Sequence, residues 1–167
     1  MIKIGVIGDI GSGKSFVSKL LNYPVFNADK EVIKIYKKDK NCYKKLRKKF
    51  PKYIFSFPVK KKELGNAIIN NFKNIREISN IVHPLIKIRL KKFLEKYKKN
   101  RIVVLDIPLL LENKINEKEY VLVFVDAKKS DILKRLKKRP NYNSKTLAIL
   151  KKFQLPIEIK KKKSDFI

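Results

Sequence analysis

The sequence predicts a three-layer α/β fold built on a parallel sheet, and three observations predict it. Residues 2–7 form a short apolar run that ends at a glycine-rich turn, after which Val17, Leu20 and Leu21 recur at helical spacing. Two later runs, Ile102 to Ile107 and Tyr120 to Val125, are nearly continuous in apolar residues, rich in β-branched side chains and bounded by charged turns. That is the pattern of strands covered on both faces. Amphipathic stretches separate the runs, and strands alternating with helices give a doubly wound sheet whose ligands bind at the carboxyl ends of the strands.

The elements follow in order. Val25-Phe26 is a second short strand after Pro24, and from Asp29 a single helical pattern places Val32, Tyr36, Tyr43, Leu46 and Phe50 on one face until Pro51 closes it. Leu64, Ile68, Phe72 and Ile75 suggest another amphipathic helix. His83-Pro84 marks a boundary, because the residue before proline is pushed out of the helical region. Ile86, Leu90, Phe93, Leu94 and Tyr97 then carry a further helix to about residue 100. Beyond Asp126, a helix from about Ser130 turns Ile132, Leu133 and Leu136 inward and stops at Pro140. A last one runs from Ser144, as N-cap, through Leu147, Leu150 and Phe153 to Pro156. The chain reads as one domain over 1–167, with a helical insertion at about 30–98 and a lid region at about 135–157.

Composition narrows the function class. With 167 residues, 44% of them hydrophobic, the chain can bury a core. One cysteine, Cys42, excludes an internal disulfide, and Cys42 with the lone His83 cannot fill a tetrahedral zinc site. No apolar run reaches the ~18 residues of a membrane span, and Met1 to Ile7 lacks the features of a secretion signal, so a soluble cytoplasmic protein is expected. The net charge of +28 is mostly lysine. Runs such as Lys60 to Lys62 and Lys160 to Lys163 lack the aromatic interleaving that stacks on bases, so the charge predicts weak, salt-sensitive attraction to polyanions rather than a dedicated nucleic-acid site.

The strongest local signal is Gly8-Asp9-Ile10-Gly11-Ser12-Gly13-Lys14-Ser15, which fits G-x-x-x-x-G-K-[ST] between a strand and a helix. Glycines let such a loop turn its backbone N–H groups toward phosphate oxygens, Lys14 reaches the β and γ oxygens, and the Ser15 hydroxyl suits Mg²⁺. ATP or GTP binding follows. An Asn-Lys-x-Asp guanine-reading segment is absent from the sequence, and a small kinase is favoured, which needs a base for the acceptor hydroxyl, a further Mg²⁺-associated acid and mobile arginines.

Asp29 and Asp106 both follow apolar runs. Asp29 is either a base or an N-cap, and Asp106 either holds hydrated Mg²⁺ or orients substrate, or else closes a turn. Arg135 and Arg139, four apart, share a helix face and either converge on phosphates or belong to a solvated basic surface.

Taken together, Ile10 to Ser15, Val25-Phe26-Asn27-Ala28-Asp29, His83-Pro84-Leu85-Ile86, Asp106-Ile107-Pro108-Leu109-Leu110-Leu111-Glu112, Gln154-Leu155-Pro156-Ile157-Glu158 and Asp165-Phe166-Ile167 resemble, in order, the segments of the dephospho-CoA kinase family. The resemblance implies a P-loop, nucleotide-kinase-like fold and transfer of the ATP γ-phosphoryl group to the 3′-hydroxyl of dephospho-CoA, the last step of coenzyme A synthesis. It implies Lys14, Asp29 and Arg139 in catalysis, and Gly8, Ile10, Gly11, Ser12, Gly13, Lys14, Ser15, Phe16 and Arg139 around ATP. Asp29, His83, Asp106 and Pro108 would meet the acceptor, with Ser15 and Asp106 at Mg²⁺.

Departures from the family pattern keep two alternatives open: another small-molecule P-loop kinase, and an inactive basic nucleotide- or nucleic-acid-binding remnant. Asp9 places an acid in the cradle, where it opposes phosphate unless it points outward or toward Mg²⁺. Phe16 stands where the family has Thr, and Asn27 where it has the first Asp of Asp-Ala-Asp. The family pattern also continues beyond Asp165-Phe166-Ile167, so the chain reads as shortened.

Overall fold

The computed structural model describes residues 1–108, 110–112, 120–138, 142 and 144–167. It divides into two compact units, one made of Met1–Ala28 with Leu94–Ile167 and the other of Asp29–Phe93.

The first unit holds the sheet. Its elements are strand β1 (Ile2–Gly8), helix α1 (Lys14–Leu20) and strand β2 (Val25–Asn27). Helices α2 (Ala28–Lys38), α3 (Lys40–Lys49), α4 (Lys61–Asn70) and α5 (Asn74–Lys96) follow, and the chain then returns through β3 (Ile102–Asp106), β4 (Tyr120–Val125), α6 (Lys129–Lys137), α7 (Ser144–Lys152) and α8 (Ile157–Lys162). The four strands lie in the order β2-β3-β1-β4, every pair parallel. The expected three-layer α/β architecture is therefore present. Val6, Val103, Val104 and Leu105 are fully buried, which is why β1 and β3 read as continuous apolar runs. Leu122 and Phe124 of β4 and Ile132 and Leu136 of α6 extend this core. Beside β4, Asp165 accepts the Leu122 N–H at 2.7 Å and the Phe124 N–H donates to Phe166 O at 2.8 Å, adding a short parallel bridge.

Register positions the site. Asn27 pairs with Asp106 across β2 and β3, and Gly8 pairs with Val125 across β1 and β4, so these residues mark the carboxyl edge of the sheet. In open α/β sheets this edge is where ligands bind.

The second unit is helical, and three readings of the sequence need correction. The single helix expected from Asp29 to Phe50 is two, because Asp39 adopts an extended conformation and its carboxylate caps α3 by accepting the Cys42 N–H at 2.8 Å. The boundary expected at His83-Pro84 is absent: Pro84 lies inside α5, whose buried Ile78, Val82 and Ile86 bracket it. Packing on both sides of the proline holds a helix that its missing N–H weakens. The amphipathic pattern assigned to one helix over Leu64 to Ile75 divides at Asn71, where α4 ends, leaving Ile75 in α5. Ile35, Cys42, Leu46, Ile54 and Ala67 form the buried centre. Burial, reinforced by Asp39, pushes the Cys42 thiol up to about 11.

Glu31 joins two of these helices, taking Arg89 of α5 at 2.9 Å and Lys34 of its own helix at 2.6 Å. Burial alone raises a carboxyl pKa, yet here the two hydrogen-bonded cations prevail and hold Glu31 below its ordinary value.

Candidate active site

The loop from Gly8 to Lys14 joins β1 to α1, and its shape depends on glycine. Gly11 and Gly13 take φ of 88° and 106°, a left-handed conformation that side chains disfavour. A Cβ on Gly8 would stand 2.7 Å from both Ser12 Oγ and the carbonyl oxygen of Val125, so the turn closes tightly against β4.

Inside this turn Lys14 Nζ donates to the carbonyls of Asp9 at 2.7 Å and Gly8 at 3.3 Å. The ammonium thus lies over the start of the loop, where the motif requires it. Ser12 Oγ is buried and has no hydrogen-bond partner among the described residues. A buried hydroxyl of this kind suits a loop that receives a polar ligand. Arg135, from α6, donates to Ser12 O at 2.9 Å and lies 3.3 Å from where a Gly13 Cβ would be. The sequence left Arg135 between phosphate ligand and solvated surface; it buttresses the loop's backbone.

Asp9 does not oppose the cradle as a bare charge. Its Oδ1 accepts the Ile10 N–H at 2.6 Å, and its Oδ2 faces Lys151 Nζ of α7 at 3.9 Å. Phe16 is 67% exposed on α1.

Asp106 ends β3 and is buried. Asn27 Nδ2 donates to Asp106 Oδ2 and also lies 3.4 Å from Ser15 Oγ. The two residues expected at Mg²⁺, Ser15 and Asp106, therefore converge on one amide. Asn27 was legible only as a departure from an Asp-Ala-Asp pattern, and its bridging position comes from the strand register. Pro108 follows in a half-buried turn.

A second cluster gathers around Glu112. Glu112 accepts the Leu155 N–H at 2.9 Å and pairs with the buried Lys160 at 2.8 Å, while Lys160 Nζ also donates to Gln154 at 3.2 Å. The sequence showed Lys160 only as one member of a lysine run and gave no helix beyond Pro156. The missing helix is corrected: Lys160 belongs to α8 (Ile157–Lys162), and its side chain is 4% exposed.

Two expected site residues lie in the helical unit. Asp29 occupies the first turn of α2, which begins one residue earlier at Ala28, so Asp29 is not the N-cap. Its side chain is exposed. His83 keeps an exposed edge on α5, while burial of the rest of the ring, and then the charge of Lys87, hold its imidazole below the ordinary value. Arg139 lies outside the described residues.

Among the described residues no group of three or more His, Cys, Asp or Glu could hold a metal. The glycine loop, its lysine and an acid at the next strand's end are the equipment of a phosphoryl-transfer enzyme. The sequence model of dephospho-CoA kinase matches residues 2–167. The chain belongs to the dephospho-CoA kinase family.

Family members share about a third of its sequence. The dephospho-CoA kinase of Wolbachia pipientis is 34% identical over 169 residues, covering 98% of this chain and 86% of the relative. That of Bartonella quintana is 31% identical with the same coverage. A crystal structure from Thermus thermophilus superposes with a TM-score of 0.81 at 26% identity, covering 99% of this chain and 86% of the other. The dephospho-CoA kinase of Campylobacter jejuni gives a TM-score of 0.60 at 27% identity, again over 99% and 86%. As in other dephospho-CoA kinases, ATP is the phosphoryl donor, and the likeness to these structures supports a P-loop fold.

Proposed function

We propose that this chain transfers the γ-phosphoryl group of ATP to the 3′-hydroxyl of dephospho-CoA, yielding ADP and CoA. The observation that carries the reading is the convergence of Ser15 and Asp106 on Asn27 at the carboxyl edge of a parallel sheet that also bears Lys14. The acceptor oxygen forms a bond to the γ-phosphorus as the bond to the β,γ-bridging oxygen breaks. Asp29 accepts the hydroxyl proton. Lys14 turns from the loop carbonyls to the β and γ oxygens, and Arg139 adds charge to the leaving phosphate.

The hydroxyl of Ser15 and the carboxylate of Asp106 are hard oxygen donors that would hold Mg²⁺. When bound, that ion neutralises phosphate charge. His83, held neutral near pH 7, and Pro108 contact the acceptor. In this reading residues 30–98 form the acceptor side, residues 135–157 the lid, and the enzyme works in the cytoplasm.

The test is ADP release by the purified chain with Mg-ATP, with and without dephospho-CoA, followed by mass detection of the product. Acceptor-dependent ADP with CoA formed is expected. ADP that depends instead on a nucleoside or nucleotide would reassign the acceptor.

A further inference from the structure

Lys151 of α7 has no part in the chemistry set out above, yet its ammonium reaches Asp9 of the phosphate loop. Its Nζ stands 3.9 Å from Asp9 Oδ2, an ion-pair distance too long for a hydrogen bond. The Asp9 side chain is 13% exposed and that of Lys151 48%, so the acid is enclosed while the ammonium still faces solvent. Asp9 is also the residue whose carbonyl receives Lys14. One residue of the loop thus has a cation on each side: Lys14 on its backbone and Lys151 on its carboxylate.

The approach of Lys151 is fixed from behind. Three residues further on, Gln154 and Leu155 are held by the buried Lys160 and by Glu112, which ties the exit of α7 to the segment after β3. Arg135 meanwhile holds the loop through Ser12 O at 2.9 Å. The end of α7 is therefore anchored with its last-turn lysine directed at the cradle, and Asp9 is a counterion that keeps that lysine beside the phosphates' place.

We propose that Lys151 binds the polyphosphate of ATP, with Asp9 as the residue that positions it. The inference rests on the kinase reading. When the triphosphate enters, its oxygens outbid a carboxylate 3.9 Å away, and Lys151 donates to phosphate while Asp9 remains tied to the Ile10 N–H. This also accounts for an acid inside a phosphate loop, because its charge is offset by a lysine from another element.

The experiment measures ATP binding by titration calorimetry, and KM for ATP and for dephospho-CoA, in the full chain and in Lys151→Ala, Lys151→Arg, Asp9→Asn/Lys151→Ala and Lys14→Ala. Loss of one charge-assisted contact should weaken ATP binding about tenfold in Lys151→Ala. KM for ATP should rise in parallel, with KM for dephospho-CoA and the melting temperature unchanged. Lys151→Arg should stay within about threefold of the parent. The double variant should bind ATP more tightly than Lys151→Ala, because it removes the acid left uncompensated. ATP affinity in Lys151→Ala within twofold of the parent, equal rises in both KM values, or a double variant no tighter than the single would overturn the proposal. A parent chain that binds ATP and loses it in Lys14→Ala while Lys151→Ala retains it refutes this inference alone. A parent that binds no ATP refutes the kinase reading with it.

Discussion

The side-chain amide of Asn27 donates to the buried carboxylate of Asp106, joining the ends of β2 and β3 directly in front of Ser15. An amide is suited to this place because it offers N–H to the carboxylate and adds no second negative charge. We predict that Asn27→Asp lowers the melting temperature without Mg²⁺, since two carboxylates then face each other at hydrogen-bond range. Adding Mg²⁺ should raise the melting temperature of this variant more than that of the parent. Equal responses would show that the metal does not meet Asp106.

Lys14 should dominate catalysis. Lys14→Ala is expected to cut kcat/KM by at least about a hundredfold, the scale of losing a positioned cation at developing charge. Its ammonium donates to the loop carbonyls of Asp9 and Gly8, and circular dichroism of the variant should still show the parent's fold. Retained turnover would remove Lys14 from the mechanism.

Asp29→Asn separates chemistry from architecture. Asp29 is an exposed first-turn residue, so the neutral variant should melt within about 2 °C of the parent, as expected of a surface substitution. Turnover should fall about a hundredfold, in the range of general-base catalysis, with KM for ATP unchanged. A variant of normal turnover and lowered stability would make the residue structural.

The buried Lys160–Glu112 pair has an energetic signature of its own. Lys160→Met leaves Glu112 enclosed without its cation, and the expected cost in urea denaturation is about 3–5 kcal/mol. Adding Glu112→Gln should recover part of it, because the remaining amide still accepts the Leu155 N–H. A single variant as stable as the parent would show that the pair does not anchor α8.

His83 sets a pH dependence. Its folded pKa lies below the ordinary imidazole value of about 6.5, so the unfolded chain binds its proton more readily. Stability tied to the neutral ring is complete above about pH 6.5 and declines as pH falls through that value toward the lower folded one. His83→Gln should flatten this part of a melting-temperature profile. An unchanged profile would show that the ring does not titrate as described.

Much of this was legible from the chain. The strands were plain because β1, β3 and β4 are covered by helices or neighbours and so carry nearly unbroken apolar runs. The phosphate loop was plain because its glycines and Lys14 are fixed by local backbone geometry. What escaped depends on partners distant in sequence. Lys160 looks like its neighbours Lys161 to Lys163, and only Glu112, forty-odd residues earlier, makes it a core residue. Asn27 gains its role from strand register, and Lys151 from the placement of α7. The break at Asp39 and the continuity through Pro84 are contests between local preference and packing, which side-chain periodicity alone does not decide.

Cys42 is enclosed in the helical unit and its thiolate is disfavoured at neutral pH. Since it is the chain's one sulfhydryl, maleimide chemistry should pass the native protein by and react only at a cysteine introduced on the surface. A fluorophore placed on α7 in this way would report on the surroundings of that helix without first stripping the protein of competing thiols.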